Sequence, residues 1–64
     1  MKAGFKAFND RVRIALSAKW SVTKDIHLVR ETADLYIDRY AHRADQVESV
    51  WTQFVQSVKV EVAA

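Results

Sequence analysis

The sequence predicts an all-α fold, and three observations carry that reading. Half of the 64 residues are apolar, too many for a disordered chain. One glycine and no proline leave too few turn formers for a compact β fold. The apolar residues also recur at spacings of three and four. Between Val22 and Val58 they fall at Val22, Ile26, Val29, Ala33, Tyr36, Ile37, Tyr40, Ala44, Val47, Trp51, Phe54, Val55 and Val58, a helical stripe held in one phase.

The first element is expected as a helix over about residues 3–19. Phe5, Phe8, Val12, Ala15 and Leu16 share one face at about 100° per residue, and Lys2, Lys6, Asn9, Asp10, Arg13 and Ser17 lie elsewhere. A break is expected between Trp20 and Lys24. Ser21 and Thr23 are good N-caps, and Asp25 would place its charge in a first turn, where it suits the helix dipole. So short a connection makes the next helix fold back as an αα-hairpin.

The second element is expected as one long helix over about residues 22–60. Ile26, Val29, Ala33, Tyr36 and Tyr40 alternate steps of three and four, as in a coiled-coil seam. From Tyr40 through Ala44, Val47, Trp51, Phe54 and Val58 the pattern slips by four, a stutter that relaxes supercoiling. The competing reading is a three-helix bundle with a break near residues 42–45, where Asp45-Gln46-Val47-Glu48 can form a capping box. The closing Val58–Ala64 segment alternates like a strand but reads as a fraying helix end.

The chain reads as one domain over residues 1–64, short enough to be marginal without a staple or a partner. It has no cysteine, so disulfides and thiolate metal sites are excluded. In the hairpin reading, the first helix covers the long one only to about Tyr40. The remainder would expose a patch of roughly several hundred Å², more than soluble monomers usually carry. A homodimer closing an antiparallel four-helix arrangement is therefore expected. Its interface residues are Val47, Trp51, Phe54, Val55 and Val58, with Leu28 and Leu35 forming a second apolar line seven residues apart.

Charge is uneven. Residues 1–24 carry six basic side chains against Asp10 alone, while residues 25–64 carry four basic and seven acidic ones. Lys2, Lys6, Arg13 and Lys24 share a face and are candidate phosphate contacts for a nucleic acid. The plainer account is that the basic helix pairs with Glu31, Asp34 and Asp38 of its neighbour. The same helix is a weaker candidate for an anionic membrane surface. No apolar run reaches the ~18 residues of a membrane span, no secretory h-region is present, and a cytosolic address is expected.

Asp34, Asp38 and His42 stack at i, i+4 and i+8, and His27 pairs with Glu31 at i+4. The spacing could hold a metal, but it is explained equally by solvated side-chain pairs, and no cofactor or metal is expected. No nucleophile–base set or phosphate loop is legible, so the chain is not expected to be an enzyme. The function expected is a small adaptor or inhibitor that docks a helix face on a larger protein, as a homodimer. The alternatives are a nucleic-acid-binding dimer and a purely structural oligomerisation module.

Overall fold

The computed structural model describes residues 2–63, with the side chains of Lys2, Ala3 and Phe5 outside what is described. Three helices pack against one another: α1 (Lys2–Thr23), α2 (Ile26–Arg39) and α3 (Ala44–Ala63), with a 3₁₀ turn at Ala41–Arg43 between the last two. The all-α expectation holds, and the architecture is the three-helix one. The longest dimension is 37 Å, whereas an unbroken helix over residues 22–58 would span roughly 55 Å.

α1 runs four residues past its expected end. Its last turn closes through Lys24, whose backbone takes the left-handed region at φ 51° and donates its N–H to the Trp20 carbonyl at 2.8 Å. Such a residue satisfies an orphan carbonyl and stops the helix. Asp25, rather than Ser21 or Thr23, caps the next helix. It is extended, and its carboxylate accepts the backbone N–H groups of His27 at 2.9 Å and Leu28 at 3.4 Å. Thr23 assists, its hydroxyl donating to the Lys19 carbonyl and accepting from the Asp25 N–H.

The expected continuity through residues 40–45 gives way at Tyr40, which leaves helical geometry at φ −123°, ψ 59°. No glycine or proline forces this. The Tyr40 ring stacks on Tyr36 at 6.2 Å and meets Phe8 of α1 edge-on at 5.1 Å. The Arg43 guanidinium then lies 4.8 Å over the Phe8 ring. Asp45 sits in the first turn of α3 rather than at its cap, and Glu48 reaches Arg30 instead of closing a capping box.

The energetics favour the turn. Breaking the helix forfeits a few backbone hydrogen bonds, each worth about 1 kcal/mol net. Folding α3 back buries Val47, Val50, Phe54 and Val58, each worth about 1.5–3 kcal/mol. With Phe8, Val12, Leu16, Val29 and Ala33 they form one core with no buried polar residue among those described.

Leu16 is fully buried at the middle of α1. Leu16→Ala is expected to cost about 2–5 kcal/mol, which leaves so small a domain largely unfolded in water at 25 °C. Urea melts followed by circular dichroism measure this. Asp25→Ala should cost only about 1 kcal/mol, the value of one N-cap.

Candidate functional site

With the stripe folded inward, several residues expected at an interface become core. Val47 is fully buried, and Phe54 and Val58 are only 8% exposed. They face α1 and α2 of their own chain, so the uncovered half-stripe that called for a second copy is covered in cis. Trp51 is half-buried, stacks on Phe54 at 6.3 Å and is capped by the Arg30 guanidinium at 5.3 Å.

Arg30 is the polar clamp of the α2–α3 seam. It donates to both Glu48 oxygens, at 2.6 and 3.1 Å, and its Nε lies 3.0 Å from Asp34. The Arg30 hydrogen bonds hold the Glu48 carboxyl below its ordinary 4.5, and the arginine's positive charge adds to the effect. Sequence reading missed this residue because an arginine beside a seam looks like any solvated one.

The candidate phosphate contacts do not form a row of free cations. Lys6 and Arg13 both pair with Asp10, at 3.1 and 3.0 Å, and Arg13 also reaches Gln53. Lys24 lies over Trp20 and 3.9 Å from Glu61. The Lys2 side chain lies outside those described. Lys6 and Arg13 are thus partnered by Asp10, and Lys24 by Glu61 of α3, not by Glu31, Asp34 and Asp38 of α2. His42 falls in the 3₁₀ turn, edge-on to Tyr40, out of phase with Asp34 and Asp38. Among the described residues, no three histidine or carboxylate side chains gather as a metal site.

Two apolar surfaces stay open. One is a groove of about 490 Å³ at the turn-bearing end, where Trp20 and Ile26 face Val55, Val58 and Val62, with Lys24 and Lys59 at its edge. It brings Lys24, placed by the sequence on another face, beside Val55 and Val58 of the stripe. The Trp20 indole N–H beside it finds no acceptor among the described residues.

The other surface is the outer groove between α1 and α2. Phe8 against Tyr36 and Tyr40 fixes the facing sides of the two helices. Arg13 and Asn9 reach α3 from the opposite flank of α1. At 100° per residue, the α1 flank that borders α2 on the outside carries Ala7, Arg11, Ala18 and Val22, with Ile14 at its crest. On α2, Arg30 marks the flank toward α3, and the flank bordering α1 carries Leu28, Thr32, Leu35 and Arg39. All of these except Thr32 are exposed. Ile14 and Leu35 are each 68% exposed, Val22 83% and Leu28 36%.

Two concavities lie near the Tyr40 end of these helices. One of about 160 Å³ is lined by Leu35, Tyr36 and Arg39. One of about 360 Å³ brings Gly4, Ala7, Phe8 and Arg11 of α1 beside Tyr40, His42 and Arg43 at the turn into α3. Leu28 and Leu35 were legible as an off-stripe line. Their partners on α1 were not, because alanines give weak contrast and Val22 was counted with the second helix.

No helix among the described residues is long and apolar enough to cross a membrane. No family model matches the chain, and no curated protein or solved structure shows a significant similarity to it.

Two outcomes follow from this geometry. Leu35→Gln should shift stability by no more than about 0.5 kcal/mol, as for an exposed position without a structural role. The Arg30–Glu48 pair is half solvated, so Glu48→Gln should cost only about 0.5–1 kcal/mol at pH 7. Because the Glu48 value is lowered on folding, that stability is full above the ordinary carboxylate range and is lost as pH falls through the lowered value. Melts of wild type and Glu48→Gln, separate at pH 7, should converge as pH falls below the lowered Glu48 value.

Proposed function

We propose that this protein is a non-enzymatic docking module, an adaptor or inhibitor that binds a larger protein through the outer α1–α2 groove. The carrying observation is that Ile14 and Val22 of α1 and Leu28 and Leu35 of α2 stay exposed in a chain whose apolar core is closed without them. Scattered apolar residues on a surface need no explanation, but a contiguous line of them marks a contact surface. Antiparallel helices with small residues on one wall form the groove into which a further helix packs. Ala7 and Ala18 supply that wall on α1 and allow close approach.

A homodimer through the Trp51 surface, the earlier expectation, loses its ground because α3 spends that stripe inside its own chain. The nucleic-acid reading loses its support with the pairing of Lys6, Arg13 and Lys24.

The experiment is site-specific photo-crosslinking in the cell of origin, with the reactive group at Leu35 in one variant and at Ser57 on α3 in another. The expected result is a discrete adduct from Leu35, absent from Ser57 and lost when Leu28→Lys and Ile14→Lys are added to a chain that circular dichroism shows to be folded. Equal adducts from both positions, or none from Leu35, would contradict docking at this groove.

A further inference from the structure

We infer that the concavity at the Tyr40 turn is a binding site for a small phosphate monoester, held as its dianion between Arg11 of α1 and Arg43 of the turn. The site stands apart from docking at the α1–α2 groove, since Ile14, Val22, Leu28 and Leu35 line none of it. Three segments meet there. The first turns of α1 supply Gly4, Ala7 and Arg11, Tyr40 ends α2, and the 3₁₀ turn supplies His42 and Arg43. Two guanidiniums thus open onto one space, and among the described residues no carboxylate lines it. The acidic residues nearest in sequence are placed otherwise. Asp10 pairs with Lys6 and Arg13. Asp45 lines the neighbouring concavity, which His42 and Arg43 also border, and Asp38 lines neither. Among the described residues, neither Arg11 nor Arg43 takes part in an ion pair.

The side chains select the ligand. A guanidinium is planar, permanently charged and forked, and its N–H pair matches two oxygens of a phosphate. Arg43 is already held in place. Its guanidinium lies 4.8 Å over the Phe8 ring, and its Nη1 donates to Gln46 Oε1 at 3.4 Å. Little side-chain freedom is therefore lost when its other N–H groups turn to a ligand. Two positive charges on one space favour a doubly charged group over a carboxylate. Tyr40 and His42, with rings 6.5 Å apart, each bring a further hydrogen-bond donor. The volume of about 360 Å³ falls in the ~300–1,000 Å³ range of small-molecule sites. That is more room than a phosphate group fills, so an organic body accompanies it beside the Tyr40 ring. Gly4 keeps one side of the space open. Glycine weakens a helix relative to alanine, yet a Cβ there would meet nothing within 4 Å, so packing does not ask for it.

The test follows chemical shifts of the isotope-labelled full chain at about pH 7.5, where a phosphate monoester is largely a dianion. The probes are phenyl phosphate, inorganic phosphate and benzenesulfonate, a monoanion with the same ring. The expected result is shift changes at Gly4, Arg11, His42 and Arg43 with phenyl phosphate, and the same residues moved more weakly by inorganic phosphate. Phenyl phosphate should bind at least about five-fold tighter than benzenesulfonate. Arg11→Gln should weaken phenyl phosphate by at least about five-fold, and Arg11→Lys, a point charge without the fork, should recover only part of that. Lys19→Gln removes the same charge elsewhere on α1 and should leave binding unchanged. Circular dichroism checks that all three variants stay folded. Equal losses from Arg11→Gln and Lys19→Gln would mean diffuse attraction and would overturn the site. Equal binding of benzenesulfonate, or no shift at these residues at about 10 mM phenyl phosphate, would overturn it as well. A final arm uses a short uncharged peptide carrying phosphotyrosine. Binding tighter than phenyl phosphate assigns the phosphate to a protein side chain, and binding no tighter assigns it to a free small molecule.

Discussion

The aromatic contact of Phe8 with Tyr36 and Tyr40 is the constraint on which the rest of the structure depends. It pins the start of α1 to the end of α2 and occupies Tyr40 at the point where the helix would otherwise continue. Arg43 closes the turn by lying over the same phenylalanine ring. Once the chain reverses there, α3 has one place to put its apolar stripe, against α1 and α2. The Arg30–Glu48 clamp and the hydrogen bond from Gln46 to Asn9 at 2.6 Å then set its register on α2 and α1. None of these polar contacts could organise the fold alone, because exposed pairs contribute at most about 1 kcal/mol each. The buried apolar side chains supply the stability, and the Tyr40 turn decides where they go.

How far the sequence could be read follows from the same physics. Helix period survives a turn when the turn happens to keep phase, so the stripe from Val22 to Val58 looked continuous although the chain reverses inside it. The tertiary contacts that break the helix at Tyr40 lie more than thirty residues away at Phe8 and leave no local mark; glycine and proline, the usual marks, are absent. The first break was closer to legible, because Asp25 and Thr23 act locally through their own side chains. The core membership of Phe8, Val12, Leu16, Val29 and Ala33 was visible in the pattern for the same reason. Of the site, Leu28 and Leu35 were readable as residues off the stripe. The Arg30–Glu48 clamp was not, since only the packed helices show which charges are paired.

The structure separates two uses of apolar residues that composition alone merges. One set is inward and closes a core within a single chain. The other, Ile14, Val22, Leu28 and Leu35, stays exposed on α1 and α2. A small chain that already folds can hold such a groove open at modest cost and offer it to a partner. Docking then needs little reordering of the chain, which limits the entropy lost on binding. Regulation by occupying a surface requires no more than this.

The central claim is that the core closes within one chain because the helix reverses at Tyr40. Size-exclusion chromatography with light scattering, run across micromolar to near-millimolar concentrations, tests it most directly. The account predicts the mass of a single chain throughout. A constant mass of two chains would contradict it, because it would mean that the stripe of α3 is buried by a second copy and not by the chain that carries it.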